Sequence, residues 1–177
     1  MQAQSEAAVR YDVSPADSSL VVLARSTLHP VRASTSALGG FVVASWSPDD
    51  TLATSPLPSM HVEFPLDSVL SGNAMQDREM LKTADAGRFP KVAADLRSIE
   101  LAALPVRYRA TGDITLAGRA RSYSGEFTIA RAGDSVTVEG EISLDIRDFG
   151  LKPPSLLILK VDPVLRLRLR LVARRAQ

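Results

Sequence analysis

The chain has 177 residues, 45% of them hydrophobic and 23% charged, with a net charge of +1 from 21 basic and 20 acidic side chains. That length fits one domain and that composition excludes wholesale disorder, while a near-neutral balance leaves no global field to hold nucleic acid. Cysteine is absent, so disulfides, thiolate metal sites and thiol nucleophiles are excluded.

The start, Met1 to Val9, is polar and has no apolar signal core. No run approaches the ~18 apolar residues of a membrane span, so a soluble protein is expected. Residues 1–10 read as a flexible N-terminal segment ahead of a single domain at 11–175. Gln2, Ala3 and Gln4 would also suit the first residues of a mature exported chain. Two addresses therefore stay open: periplasmic or secreted if a signal peptide was removed, cytoplasmic otherwise.

Period-two alternation, the mark of a strand with one buried and one wet face, dominates the chain from Leu20 onward. Leu20 to Thr27 and Gly40 to Trp46 read as two strands with weaker alternation. Ser47-Pro48-Asp49-Asp50 is a turn. Met60, Val62, Phe64 and Leu66 then share one face, opposite His61, Glu63 and Asp67. Asn73 to Lys82 is the exception and suits a short helix, with Gly72 before it and Gly87 and Pro90 beyond. Lys91 to Leu101 is another strand. Val106 to Leu116 alternates again, with Tyr108, Ala110 and Ile114 on the apolar face. A turn at Ala117-Gly118 precedes Tyr123, Gly125, Phe127 and Ile129, and a turn at Ala132-Gly133-Asp134 precedes Val136 to Ile146. Asp148 to Ser155, with Pro153-Pro154, cannot be a central strand. Leu165, Leu167, Leu169 and Leu171 finally alternate with Arg166, Arg168 and Arg170.

About eight antiparallel strands with one apolar face each need a second sheet or closure, and one short helix is too small to cover them. An all-β, eight-stranded antiparallel barrel with the helix near one end is the expected fold. Such a barrel is filled by its own side chains or holds one slim ligand. Several inward positions are small: Ala24, Ala110, Gly112, Gly125 and Gly140. They have two readings, space left open or bends at barrel corners.

Five segments, in order, resemble the YceI family of lipocalin-like, polyisoprenoid-binding proteins. Tyr11-Asp12-Val13-Ser14-Pro15 with Ser18 and Ser19 is similar to its opening Y-x-I-D-P-x-x-S. Asp67 to Asn73, then Met75, Asp77, Met80 and Leu81-Lys82, resembles the entry to its helix. Phe89-Pro90-Lys91-Val92 resembles its Y/H-P-x-I. Ala110 to Gly118 resembles its G-x-L-T-x-x-G, and Arg147 to Pro154 its D-F-G-x-x-x-P. Around the helix the common form has a histidine and a Phe-Phe pair, neither of which stands here; the Met-bearing helix is closer to a subgroup with Pro-Pro after D-F-G. The resemblance implies an elongated lipocalin-like barrel holding a long isoprenoid or fatty chain.

The expected tunnel lining is Phe41, Val43, Val62, Phe64, Tyr108, Ala110, Ile114, Tyr123, Phe127, Ile129, Ile142 and Leu144, the alternative being that these form a filled core. Met75 and Met80 are expected to adapt to a ligand end. Tyr108 and Tyr123 offer hydroxyls to a polar head, or pack with the hydroxyl satisfied locally. Arg78, Lys82 and Arg88 either meet an anionic headgroup or are plain solvated surface, and the same choice applies to the arginine row. No catalytic or metal-ligand constellation stands out: His29 and His61 are far apart, and Asp148-Phe149-Gly150 has no kinase-type companions. No cofactor is expected.

The leading reading is therefore carriage or sequestration of an isoprenoid or fatty-acid-like lipid by a protein that is not an enzyme. Two others remain: an enzyme using the barrel as a reaction chamber, and a ligand-free module that binds protein through the arginine row or an exposed edge. A homodimer is compatible with each.

Overall fold

Alternating side chains bury one face of each segment and wet the other, and strands satisfy the backbone while doing so. The computed structural model describes residues 6–104, 106–156 and 159–177. The strands are β1 (Val9–Val13), β2 (Ser19–Ser26), β3 (Val31–Thr35), β4 (Gly39–Ala44), β5 (Ser59–Pro65), β6 (Lys91–Ala103), β7 (Arg107–Leu116), β8 (Arg119–Ala132), β9 (Ser135–Asp145), β10 (Ser155–Leu156) and β11 (Leu159–Arg175). Among the described residues there is one α-helix, α1 (Ala74–Thr83), between β5 and β6.

Eight strands close a circuit in the order β1-β4-β5-β6-β7-β8-β9-β11, with β11 returning to β1. All pair antiparallel, so the expected eight-stranded barrel with one helix is the architecture found. β11 serves two neighbours along one edge. Ala173 to Arg175 face β1, while Leu165 to Arg170 face β2. The β2–β3 hairpin extends the wall there, and its free edge is joined to the segment before α1. Ser34 and Leu70 exchange backbone hydrogen bonds of 3.0 Å, and the Thr35 and Ser68 hydroxyls lie 2.8 Å apart.

Three features differ from the sequence expectation. β1, β3 and β10 are additional strands, of five, five and two residues, too short for alternation to show. β1 starts within the segment expected to be flexible, with Val9 opposite Ala44; residues 1–5 of that segment lie outside the described residues. β11 is 17 residues long, well beyond Leu165–Leu171. It includes Pro163, which has no N–H for a ladder and stands where the register with β2 shifts between Val161 and Leu165.

The helix begins as its sequence suggests. The Asn73 side chain accepts the N–H groups of Met75 and Gln76 at 3.0 and 3.1 Å, capping the first turn. Asp77 in that turn and Lys82 in the last complement the helix dipole. The Ala117-Gly118 turn has positive φ at both residues, 50° and 73°, joining β7 to β8 as a tight hairpin.

Among the described residues, buried apolar side chains form two clusters. One, at the end where β4 leaves the barrel, gathers around Tyr11, Trp46, Leu52, Tyr108, Val136 and Leu171. The other, beneath α1, gathers around Leu66, Ile114, Leu116, Leu144, Ile146 and Phe149. The barrel thus has a plugged end and a helix end.

Candidate functional site

Between plug and helix lies a cavity of about 310 Å³. Its wall is apolar. β5 contributes Met60, Val62 and Phe64, β7 contributes Ala110 and Ile114, and β9 contributes Ile142 and Leu144. From β8 come Tyr123 and Phe127, and α1 contributes Met80. Nine expected residues therefore meet around one space: Val62, Phe64, Met80, Ala110, Ile114, Tyr123, Phe127, Ile142 and Leu144.

The other five lie elsewhere. Phe41 and Val43 face outward, because Val42, Ala44 and Trp46 hold the inward positions of that segment. The run is apolar on both faces, so alternation gives no parity. Phe41 is kept from water by the Arg10 guanidinium, 4.4 Å from its ring centre, and by the His61 ring at 6.0 Å. Tyr108 and Ile129 point inward but belong to the plug, beyond the cavity. Met75, on the first turn of α1, is 57% exposed.

Sequence reasoning missed three walls, one of them β6, which brings Val92, Ala94 and Leu96. β2 and β3 bring Leu20, Val22, Val31 and Ala33, and β11 brings Leu165, Leu167 and Leu169. The β11 leucines were visible as one face of an alternating strand; the β3 residues carried no such signal.

The glycines are not simple hollows. A Cβ on Gly125 would lie 2.4 Å from Ile142 Cγ2, and one on Gly140 would lie 2.3 Å from Phe127 Cδ1. The room those glycines leave is taken by neighbouring side chains that themselves line the cavity. Gly112 answers to the bend reading, since a Cβ there would meet the Asp95 carbonyl at 2.9 Å.

Polar lining is concentrated at the helix end, where α1 supplies Gln76, Asp77, Glu79 and Thr83, and β11 supplies Asp162. The tyrosine hydroxyls are both engaged. The Tyr123 hydroxyl donates to the Asp148 carboxylate, and burial with that carboxylate pushes its pKa up to about 12. Its ring stacks on Phe149 at 6.0 Å. Asp148-Phe149-Gly150 is thus a latch: carboxylate to tyrosine, ring into the core, and Gly150 at φ 74° turning the chain away. The arginine row on the outer face is tied down as well. Arg166 and Arg168 bind Glu141 at 2.5 and 3.0 Å, and Arg170 binds Glu139.

Residues 11–173 match the YceI-like domain. The chain belongs to the YceI family. Comparison with curated proteins returns no match. Among solved structures, this YceI chain is similar to BcnA of Burkholderia cenocepacia, with TM-score 0.75 and 19% identity over 92% of this chain and 99% of that one. It is similar to a polyisoprenoid binding domain from Saccharophagus degradans implicated in plant cell wall breakdown, with TM-score 0.68 and 12% identity over 95% and 99%. A Campylobacter jejuni YCEI protein aligns with TM-score 0.60 and 15% identity over 77% and 81%. At these identities the likeness is one of fold.

Proposed function

We propose that this YceI-family barrel binds a long-chain apolar ligand, an isoprenoid or fatty-acid-like lipid, and carries or sequesters it chemically unchanged. The observation that carries the reading is the apolar cavity of about 310 Å³ between plug and helix. The Saccharophagus degradans domain, described as polyisoprenoid binding, supports the isoprenoid class. Binding without chemistry is supported by the placement of the two tyrosines: Tyr108 sits in the plug outside the cavity, and the Tyr123 hydroxyl already donates its proton to Asp148.

Removing chain carbons from water supplies the affinity, at about 0.8 kcal/mol per CH₂. Immobilising the ligand and freezing its torsions opposes it by several kcal/mol. Each added methylene should tighten binding by about fourfold until the cavity is full. Native mass spectrometry and organic extraction of protein from its own host test the reading. A co-purified lipid, and affinity for a prenol series that rises and then levels off, is the expected result. Absence of any adduct, with no binding across the series, would overturn it.

A further inference from the structure

Charged side chains are not distributed evenly along the barrel. Of the 21 lysines and arginines, twelve sit in ion pairs among the described residues. The other nine have no ion pair among those residues, and eight of them cluster at the helix end. Arg25 and Arg32 flank the β2–β3 turn, and Arg78 and Lys82 stand on α1. Arg119 and Arg121 open β8, while Lys152 and Lys160 lie on either side of β10. All eight are exposed. The ninth, Arg107, begins β7 at the plugged end.

Five carboxylates with no ion pair among the described residues share the helix end: Asp67, Asp77, Glu79, Asp148 and Asp162. That leaves a surplus of three positive charges there. Three of the five are already used as hydrogen-bond acceptors. Asp77 holds Ser71, Asp148 holds Tyr123, and Asp162 accepts the Val164 N–H.

Large apolar side chains project from the same end. Leu28 at the tip of the β2–β3 turn is 60% exposed, and Met75 on α1 and Val164 on β11 are exposed too. Leu57, Leu101 and Leu104 are exposed towards the plugged end, but the cavity does not reach them and, of these nine cations, only Arg107 accompanies them. Among the described residues, only at the helix end do free cations, apolar side chains and the cavity coincide.

We propose that the helix end is a docking surface for an anionic lipid bilayer, from which the apolar ligand enters the cavity. The inference rests on the cavity being a lipid site. Free cations meet lipid phosphates, each contributing at short range. The apolar side chains enter the interface between headgroups and acyl chains. A ligand chain then passes from hydrocarbon to cavity beside α1 with little exposure to water.

Flotation with vesicles of equal parts phosphatidylcholine and phosphatidylglycerol, against vesicles of phosphatidylcholine alone, tests this. Binding to the anionic vesicles that weakens as salt is added is expected. The double variant Arg25→Glu/Lys160→Glu should bind them about tenfold more weakly or worse. Leu28→Asp should also weaken binding, and Arg107→Glu should leave it unchanged. No binding by the native protein, equal binding to both vesicle types, or equal loss in Arg107→Glu would overturn the proposal. Native mass spectrometry of the same samples separates the two readings. A lipid adduct without vesicle binding sinks the docking surface alone, and absence of any adduct sinks the cavity reading beneath it.

Discussion

The Tyr108 hydroxyl accepts the backbone N–H of Leu52 at 3.0 Å in the interior of the barrel. That bond ties the loop after β4, which carries Trp46 and Leu52, to a wall strand, and so builds the floor of the cavity. Burial pushes the Tyr108 phenol up from its ordinary value. Tyr108→Phe keeps the ring but strands a buried donor, a loss of about 1–3 kcal/mol. Urea unfolding should register that loss, while lipid capacity by mass spectrometry stays the same. Loss of ligand with unchanged stability would place the hydroxyl in the binding site and not in the floor.

Helix position, the eight longest strands and the inward faces of β5, β7, β8 and β9 were legible, the faces because each of those strands alternates over many residues, while the short β1, β3 and β10 were not. β4 was not, since Gly39 to Ala44 is apolar on both faces and only the packing of Trp46 sets its parity. Alternation turns Tyr108 inward, yet depth along the barrel is a property of register, which no single strand carries. The floor was illegible for the same reason: Tyr11, Leu52 and Tyr108 come together only once the strands pair. The ion pairs that quiet Arg166, Arg168 and Arg170 likewise need Glu139 and Glu141 of the neighbouring strand.

Ala110 separates a hollow from a filled core. It lines the cavity opposite Gly125 of β8. Ala110→Leu in a packed interior costs about 1–3 kcal/mol through overpacking. Beside an open cavity the added carbons instead occupy space the ligand would use. Thermal unfolding should therefore show stability unchanged or raised, together with at least about tenfold weaker lipid binding, the equivalent of two lost methylene contacts. Strong destabilisation would mean that the space is already taken.

His61 gives the outer wall a pH dependence. Its Nδ1 lies 2.7 Å from an Asp95 carboxylate oxygen and its Nε2 3.5 Å from Glu63, whose other oxygen takes Lys91 at 3.1 Å. The Asp95 hydrogen bond raises the His61 pKa above its ordinary 6.5, against some loss from burial. A group whose folded value is raised stabilises fully below its unfolded value and loses that contribution as pH rises through the folded one. Stability measured by urea should therefore decline as the solution is taken upward from 6.5 through the raised value. Asp95→Asn should flatten that decline. Glu63 runs the other way: its lowered pKa, due first to Lys91, adds stability that disappears only in more acidic solution. A profile in Asp95→Asn identical to the native one would detach His61 from the effect.

Gly140 marks where wall and ligand space are traded directly. A Cβ there would lie 2.7 Å from the Glu126 carbonyl oxygen as well as 2.3 Å from Phe127 Cδ1. The ring can swing away, but the carbonyl belongs to a paired strand and yields only if β8 and β9 separate. Gly140→Ala should therefore destabilise the barrel by about 1–3 kcal/mol through overpacking. It should also push Phe127 into the cavity and weaken lipid binding. Gly39→Ala is the matched control, because nothing stands within 4 Å of its Cβ position and its φ is unexceptional. Parallel urea titrations and lipid-binding curves check both outcomes. Equal stability in the two variants would show that the Phe127 ring does not occupy the room Gly140 leaves.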